Sequence, residues 1–222
     1  MRHPECRHNL GFDEYTRAVE EGVHNKMSPL TERGVAQAEY TAEYLKRVFG
    51  RFDLTFASDF IRTHAIPAEL GLDYTIDTRI GERWQGQLHE RGSPFFVDFP
   101  AEERCYREDY YNYRAGMTIG RPEGENCPDV EARVLDFLLD RELFADAKTM
   151  FLSSHGITGL CLRKVLLQAS VDDWHQWHGD KSQRLANASV TVYQKTKNGF
   201  ETPVYNYIPW LEQLGRRETV EA

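Results

Sequence analysis

The run Phe151-Leu152-Ser153-Ser154-His155-Gly156 begins with apolar residues and gives way to a helix-like segment. A second run of the same kind, Asp53-Leu54-Thr55-Phe56-Ala57-Ser58, is followed by Arg62. Polar residues between a short buried strand and a helix are typical of the loops at the carboxyl edge of an α/β sheet, where ligands bind. The two runs therefore predict an α/β fold whose functional residues follow its strands.

Strand-like and helix-like segments alternate along the rest of the chain, which favours a layered sheet. Residues 29–49 are helix-like, with Thr31 as a candidate N-cap and Gly50 as a stop. The apolar residues at helical spacing in this segment are Val35, Ala38, Ala42, Leu45 and Val48. The other predicted elements are helices over 61–70 (with Pro67 at a kink or in the first turn), 129–145 and 157–168, and strands at 53–57, 74–77, 149–153, 188–194 and 203–208. We predict a three-layer α/β/α sandwich with a mostly parallel central sheet, in a single domain over residues 1–222.

Two parts of the chain depart from this alternation. Residues 83–127 crowd aromatic, charged and proline residues together without a clear period, so we expect an irregular insert that lies over the active-site edge as a lid. Near the start, His3 would end a strand that has almost no residues, whereas a strand usually has about five. We expect either that this strand is absent or, as we favour, that Met1 is internal to the gene.

Composition and charge exclude several classes of function. The chain has 222 residues and a net charge of −8, and an acidic surface argues against nucleic-acid or anionic-membrane partners. No apolar run approaches the roughly 20 residues that span a bilayer, and the charged first residues are unlike a secretory signal. We expect a cytoplasmic protein, for which a homodimer is compatible with the sequence. The four cysteines form no CxxC pair and are read as free thiols: Cys6, Cys105, Cys127 and Cys161.

Two imidazole and two guanidinium groups are expected to meet at one edge of the sheet. They belong to Arg2, His3, Arg62 and His155. Guanidinium groups match phosphate oxygens in a bidentate way, and a ring nitrogen among them could attack phosphorus. In an acidic protein such a pocket must be a local positive island. The combination indicates phosphoryl chemistry.

Six segments, taken in their order along the chain, carry a family resemblance. They are Arg2-His3-Pro4-Glu5 with Asn9, Leu30 to Ala38, Ser58 to Arg62, Glu82-Arg83-Trp84-Gln85-Gly86, Gly124-Glu125-Asn126 with the following helix start, and Ser154-His155-Gly156. These segments resemble the motifs of the histidine phosphatase superfamily, the phosphoglycerate-mutase-like enzymes, over nearly the whole chain. Pro4 stands where the family usually has glycine, and Thr63 stands where alanine is common.

The resemblance implies a role for each matching side chain. It implies that His3 is the nucleophile and forms a phosphohistidine, that His155 assists catalysis, and that Glu82 is the general acid, with Glu5 and Glu125 in reserve. The phosphate-binding residues would be Arg2, Asn9, Arg62 and His155. No cofactor and no metal ion are implied, since arginine and histidine neutralise the transferring charge.

We predict a phosphomonoesterase that hydrolyses a small phosphorylated metabolite. A phosphoglycerate-type phosphomutase is the first alternative, but the interval from Gly86 to Gly124 is short for a mutase, which favours hydrolysis. A non-catalytic phosphate-binding relative is the second alternative; Pro4 and the short first strand favour it, and the retained catalytic side chains oppose it. The H-x-x-H spacing of His175 and His178 lacks further metal ligands, so we interpret that segment as a pocket rim.

Overall fold

Short apolar strands that run in one direction form the centre of the protein. The computed structural model describes residues 1–92, 94–140 and 147–215. Its strands are β1 (Leu54–Ala57), β2 (Thr75–Ile76), β3 (Met150–Ser153), β4 (Val190–Thr196) and β5 (Gly199–Tyr207). The first three pair in parallel in the order β2-β1-β3, while β4 and β5 form an antiparallel hairpin. The mostly parallel central sheet is as predicted.

Residues 1–3 occupy a strand position beside β3. Arg2 forms a parallel bridge with Ser154, and His3 N donates to Ser154 O over 2.9 Å. On their other side, Arg2 N donates to Ser189 O (3.3 Å) and Ala188 N donates to His3 O (3.0 Å). Residues 1–3 form this single bridge and no regular strand, so the expectation that the first strand could be absent agrees with the structure.

Helices cover both faces of the sheet. They are α1 (Phe12–Glu20), α2 (Glu32–Phe49), α3 (Ala65–Leu70), α4 (Gln87–Arg91), α5 (Pro94–Asp98), α6 (Pro100–Glu108), α7 (Cys127–Leu139), α8 (Gly156–Leu167), α9 (Val171–Gly179) and α10 (Leu211–Leu214). Short 3-10 helices are Arg7–Asn9, Asn25–Met27, Ile61–Thr63, Thr78–Ile80, Met117–Ile119 and Lys181–Gln183. No helix among these described segments is both long enough and apolar enough to cross a bilayer.

The register of β1 and β3 explains the three layers. Thr55 pairs with Phe151 and Phe56 pairs with Leu152, so Phe56 and Phe151 point to opposite faces of the sheet. Phe151 packs in a cluster with side chains of α2 and α3. Phe56 packs against Phe137 of α7, with the two rings 5.2 Å apart. The predicted α/β/α sandwich is confirmed.

Helix α2 has the predicted ends and a buried face of mostly small residues. The Thr31 hydroxyl accepts from Gly34 N, and Gly50 closes the helix at a φ of 71°. Of the five apolar residues at helical spacing, Val35 and Val48 are 46% and 51% exposed, whereas the other three are buried. The buried residues are Gly34, Gln37, Ala38, Thr41, Ala42 and Leu45. Small side chains at these positions let the helix lie close to the loop that carries His3.

The segment from 83 to 127 is more regular than expected. It contains α4, α5 and α6, so an irregular insert is not what forms. The helices have only five, five and nine residues, too few turns for a clear hydrophobic period. Glu102 of α6 is fully buried and accepts hydrogen bonds from Tyr113 Oη and Gly116 N (each 2.9 Å). These bonds hold the second half of the segment against α6.

The boundaries of two other predicted helices follow from the residues at their ends. Pro67 lies in the first turn of α3, where its missing N–H costs no hydrogen bond. Helix α7 begins with a capping box of Asn126 and Asp129 and ends at Leu139. The rest of its predicted range, residues 141–145, lies outside the described residues. The four cysteines are free thiols, as expected.

Candidate active site

The two histidines that the sequence singles out meet at the carboxyl edge of the sheet. His3 follows Arg2, which forms a parallel bridge with Ser154, and His155 follows the same serine at the end of β3, so this bridge brings the two histidines together. The ring centroids are 5.1 Å apart, at an interplanar angle of 61°. Both side chains are buried, with 2% and 0% of their surfaces exposed.

Arg62 joins these histidines through one guanidinium group. Its Nε donates to His3 Nε2 over 3.1 Å, and its Nη2 lies 3.5 Å from His155 Nδ1. Its Nη1 donates to both oxygens of Asn25, the backbone O at 2.7 Å and Oδ1 at 2.9 Å. The Phe60 ring lies under the guanidinium, 4.5 Å away. These contacts hold a buried positive charge beside both imidazole rings.

The hydrogen bonds of His3 decide which of its nitrogens can react. Nδ1 lies 2.6 Å from the carbonyl oxygen of Pro4, which can only accept, so Nδ1 carries the proton. Nε2 then holds the lone pair that accepts from Arg62. Burial, followed by the charges of Arg62 and Arg2, holds the pKa of His3 well below its usual range. The ring is therefore a neutral imidazole near pH 7, with Nε2 as its basic atom.

His155 is neutral for a similar reason. Burial and then the charge of Arg62 hold the pKa of His155 well below its usual range. Its Nε2 lies 2.7 Å from Ser58 Oγ. A hydroxyl can donate or accept, so Ser58 satisfies Nε2 in either neutral tautomer. In this structure the Arg62 guanidinium can only donate, so His155 Nδ1 is the acceptor and Nε2 carries the proton, which it donates to Ser58 Oγ. Because the Ser58 hydroxyl can also donate to Nε2, His155 can move its proton to Nδ1 when an anion rather than Arg62 faces that nitrogen.

Arg2 and Asn9 border the same cavity as His3. Arg2 is 6% exposed, and its Nη1 donates to Leu185 O over 2.5 Å. The Asn9 side-chain oxygen accepts from Cys6 N and from Asn187 Nδ2, each over 3.1 Å. With this oxygen occupied, the amide NH2 is the group that Asn9 can offer to a ligand.

The predicted acids are separated by the fold. Glu82 borders the cavity, and its Oε1 accepts from Arg83 N (2.9 Å) and lies 3.3 Å from Thr158 Oγ1, near the start of α8. The reserve acids lie elsewhere. Glu5 accepts from Thr31 Oγ1, and Glu125 is ion-paired with Arg133, with neither bordering the cavity. Of the three carboxylates, Glu82 alone can reach a group bound beside His3.

The cavity is large and positively charged. Its volume is about 770 Å³, within the range of small-molecule sites. The cationic residues that border it are Arg2, Arg62, Arg83, Arg107, Lys181 and Arg184, and the acidic ones are Glu82 and Glu108. Six cations against two acids give a local positive field in a chain of net charge −8. Anionic ligands fit this field.

Several residues at the site carried no usable signal in the sequence. Asn25, which holds Arg62, lies in a 3-10 helix far from any motif. His8, Tyr15 and His89 form one wall of the cavity. Unlike Asn25, His8, Tyr15 and His89, Arg83 could have been predicted from the sequence, because it directly follows Glu82. His175 and His178 border the cavity as predicted for a rim, and within residues 1–92, 94–140 and 147–215 no group of three or more His, Cys, Asp or Glu side chains is arranged to hold a metal ion.

The chain is similar in sequence or in fold to several known proteins. The probable phosphoglycerate mutase GpmB of Enterobacter sp. (strain 638) is 31% identical over 189 residues, which are 83% of this chain and 77% of that protein. The α-ribazole phosphatase structure from Shigella flexneri has a TM-score of 0.71 at 17% identity and covers 93% of this chain and 94% of its own. The structure of a mycobacterial glucosyl-3-phosphoglycerate phosphatase in complex with VO3 has a TM-score of 0.66 at 24% identity, and the match covers 93% of this chain and 96% of that chain. Because both structures are less than 25% identical to this chain, the similarity shows a shared fold only.

The match to a family is broader. The sequence pattern of the histidine phosphatase superfamily (branch 1) matches residues 1–208, and this range contains every residue of the site described above. The chain therefore belongs to the histidine phosphatase superfamily, branch 1.

Proposed function

We propose that the protein is a phosphomonoesterase that hydrolyses a small phosphorylated metabolite through a phosphohistidine on His3. The observation that carries this proposal is the hydrogen bond from His3 Nδ1 to Pro4 O, since it directs the ring's lone pair at Nε2 toward Arg62. Nε2 attacks phosphorus, the bond from phosphorus to the alcohol oxygen breaks, and the phosphoryl group stays on His3. Water then hydrolyses the phosphohistidine and releases inorganic phosphate.

Charge stabilisation comes from the residues around His3. Arg62 and Arg2 bind the phosphoryl oxygens, because negative charge is spread over these oxygens during transfer. When phosphate enters, its oxygen replaces His3 Nε2 as the acceptor from Arg62 Nε. His155 donates from Nδ1, and Asn9 donates from its amide NH2.

Glu82 completes the reaction as general acid and then general base. Its carboxyl group protonates the leaving alcohol oxygen in the first step and takes a proton from the attacking water in the second. Thr158 and the start of α8 hold the carboxyl at the cavity wall.

The phosphohistidine is the intermediate that tests this proposal. Brief incubation with a ³²P-labelled substrate, followed by denaturation, should give a labelled protein whose label is stable in base and lost in acid. His3→Ala should abolish the label, whereas His175→Ala, at the exposed rim, should retain it. A wild-type protein that releases phosphate without ever carrying label would contradict the mechanism.

A phosphoglycerate-type mutase is the second candidate, favoured by the 31% identity with a probable phosphoglycerate mutase. A mutase returns the phosphoryl group to an alcohol, whereas a phosphatase gives it to water. Steady release of inorganic phosphate without a bisphosphate primer supports the phosphatase. Isomerised product without phosphate release supports the mutase.

We propose further that neither step needs a metal ion, because Arg2, Arg62 and His155 supply the charge stabilisation. Phosphate release should therefore be unchanged after treatment with EDTA and gel filtration. A loss of activity that Mg²⁺, Mn²⁺ or Zn²⁺ restores would contradict this.

A further inference from the structure

Arg83 is a buried cation without a counter-ion. Its side chain is 1% exposed, and among the described residues it forms no ion pair. Transfer of an unpaired charge from water into a protein interior is strongly unfavourable, so such charges are usually paired. A buried, unpaired arginine does not stabilise the fold, so its presence indicates a functional role such as the binding of an anion.

The hydrogen bonds of Arg83 use only one end of its guanidinium group. Nη1 donates to Tyr110 O over 2.8 Å and lies 3.6 Å from Cys127 Sγ. The ring of Tyr110 covers one face, 4.0 Å from the central carbon. Within residues 1–92, 94–140 and 147–215, Nε and Nη2 have no hydrogen-bond partner. These two nitrogens form the side-on fork that matches the two oxygens of a carboxylate or phosphate.

Arg83 lies at the same cavity as the reacting groups. It borders that cavity together with His3 and directly follows Glu82. Its exposed fraction is similar to the 2% of His3 and the 4% of Arg62, so all three are residues that a ligand reaches only through the cavity. A phosphoryl group on His3 occupies a small part of about 770 Å³, which leaves room for the alcohol portion of a substrate.

We infer that Arg83 binds a second anionic group, a carboxylate or phosphate on the alcohol portion, so that the preferred substrates are phosphomonoesters with a second negative charge. This inference rests on the proposed phosphatase function. Arg83 is then a specificity-determining residue, distinct from the arginines that hold the transferring phosphate. The positive lining of the cavity, six cations against two acids, favours the same class of substrate.

Matched pairs of substrates test the inference. O-Phosphoserine and O-phosphoethanolamine differ by one carboxylate, and 3-phosphoglycerate carries a carboxylate where glycerol 3-phosphate carries a hydroxymethyl group. The quantity measured is kcat/KM for phosphate release. We expect the wild-type protein to prefer the carboxylated member of each pair by about tenfold or more, as hydrogen bonds to a charged group would give.

Variants at Arg83 should remove this preference. In Arg83→Met the ratio of kcat/KM within each pair should fall toward one. Arg83→Lys should give an intermediate ratio, because lysine keeps the charge and lacks the fork. The matched control is Arg163→Met: Arg163 also stacks on aromatic rings, those of Trp177 and Tyr205, but does not border the cavity. It should keep the wild-type ratio.

The outcomes separate the two proposals. Equal hydrolysis of both members by the wild-type protein, or an unchanged ratio in folded Arg83→Met, overturns the inference and leaves the phosphatase function standing. No phosphate release from any of the four compounds contradicts the phosphatase function and this inference with it. If Arg83→Met does not fold, the test compares the kcat/KM ratios of the wild-type protein and of Arg83→Lys. A lysine variant whose ratios match those of the wild type overturns the role of the guanidinium fork.

Discussion

Arg62 contacts His3, His155 and Asn25, so one guanidinium group links three parts of the chain that are far apart in sequence. Its charge also contributes, after burial, to the lowered pKa of both histidines. The same side chain thus orients the His3 ring and, after burial, helps keep it neutral. The sequence predicted that Arg62, His3 and His155 meet. The contact of Arg62 with Asn25 and the hydrogen bond from His3 to Pro4, which decides the tautomer of His3, depend on backbone geometry and could not be predicted.

Replacement of Arg62 should affect both rate and pH dependence. Arg62→Ala should lower kcat/KM by an amount that corresponds to roughly 3 kcal/mol, the scale for loss of one preorganised donor. Protonated His3 cannot attack, and the lowered pKa places this loss of activity well below pH 6.5 in the wild-type protein. Without Arg62 the pKa of His3 rises, so the acid limb of the pH profile should move to higher pH. An unchanged kcat/KM in folded variant protein would refute both roles.

At the level of elements, the sequence predicted strands and long helices well and short helices poorly. Thr31 and Gly50 mark the ends of α2 because capping acts locally. The buried face of α2 could not be predicted from apolar spacing, because Gly34 and Thr41 are buried where Val35 and Val48 are exposed. Close approach to a backbone selects small residues there, and only the tertiary fold contains that information.

Gly34 is the residue through which α2 lies against the loop of the nucleophile. A Cβ at this position would stand 1.9 Å from Glu5 O and 2.9 Å from Glu5 C, which are backbone atoms. Gly34→Ala should therefore lower the unfolding free energy by at least about 2 kcal/mol, measured by urea denaturation. Gly179→Ala is the matched control, since nothing lies within 4 Å of its Cβ, and its stability should stay close to that of the wild type. Equal stability of the two variants would argue against this close packing.

Glu102 binds together two parts of the segment 83–127, several of whose residues border the cavity. Its carboxylate accepts from Tyr113 Oη, Gly116 N, Thr118 N and Thr118 Oγ1. In Glu102→Gln the side-chain nitrogen can no longer accept, so buried donors lose their partner at a cost of about 1–3 kcal/mol. Hydrogen exchange over residues 113–118 should become faster, and KM should rise more than kcat falls. Glu103→Gln changes a half-buried neighbour that pairs with Arg107 on the same helix, outside residues 113–118, and should leave exchange in this segment unaltered.

For the whole molecule, net charge and local charge have opposite signs. The chain carries −8, yet the cavity is bordered by six cations and two acids. The acidic total predicted that a phosphate site must be a local positive island, and the cavity has this character. Burial and then this concentrated positive charge keep His3 and His155 unprotonated in the folded protein. The same two effects therefore set the charge state of the site and make the stability of the fold depend on pH.

That connection predicts how stability depends on pH. The pKa of His3 and of His155 is well below the usual value, and burial, the largest cause, together with nearby cations lowers the pKa of His89 to about 3 and of His8 to about 4. The unfolded chain binds protons at these histidines near pH 6.5, whereas the folded protein does not, so acid favours unfolding. The unfolding free energy should fall as the pH decreases from about 6.5 to 4.5, a window above the usual pKa values of carboxylates.

Each fully buried histidine can contribute up to about 1.4 kcal/mol per pH unit to this slope. Differential scanning calorimetry between pH 7 and 4.5 should therefore record a steadily falling Tm. His3→Gln removes one of the groups that must stay neutral, so its Tm should fall less steeply. His175→Gln, at an exposed position, should keep the wild-type slope because that imidazole is hydrated in both states. A wild-type Tm that is constant over this range would mean that the buried histidines accept protons in the folded protein, and would contradict their lowered pKa values.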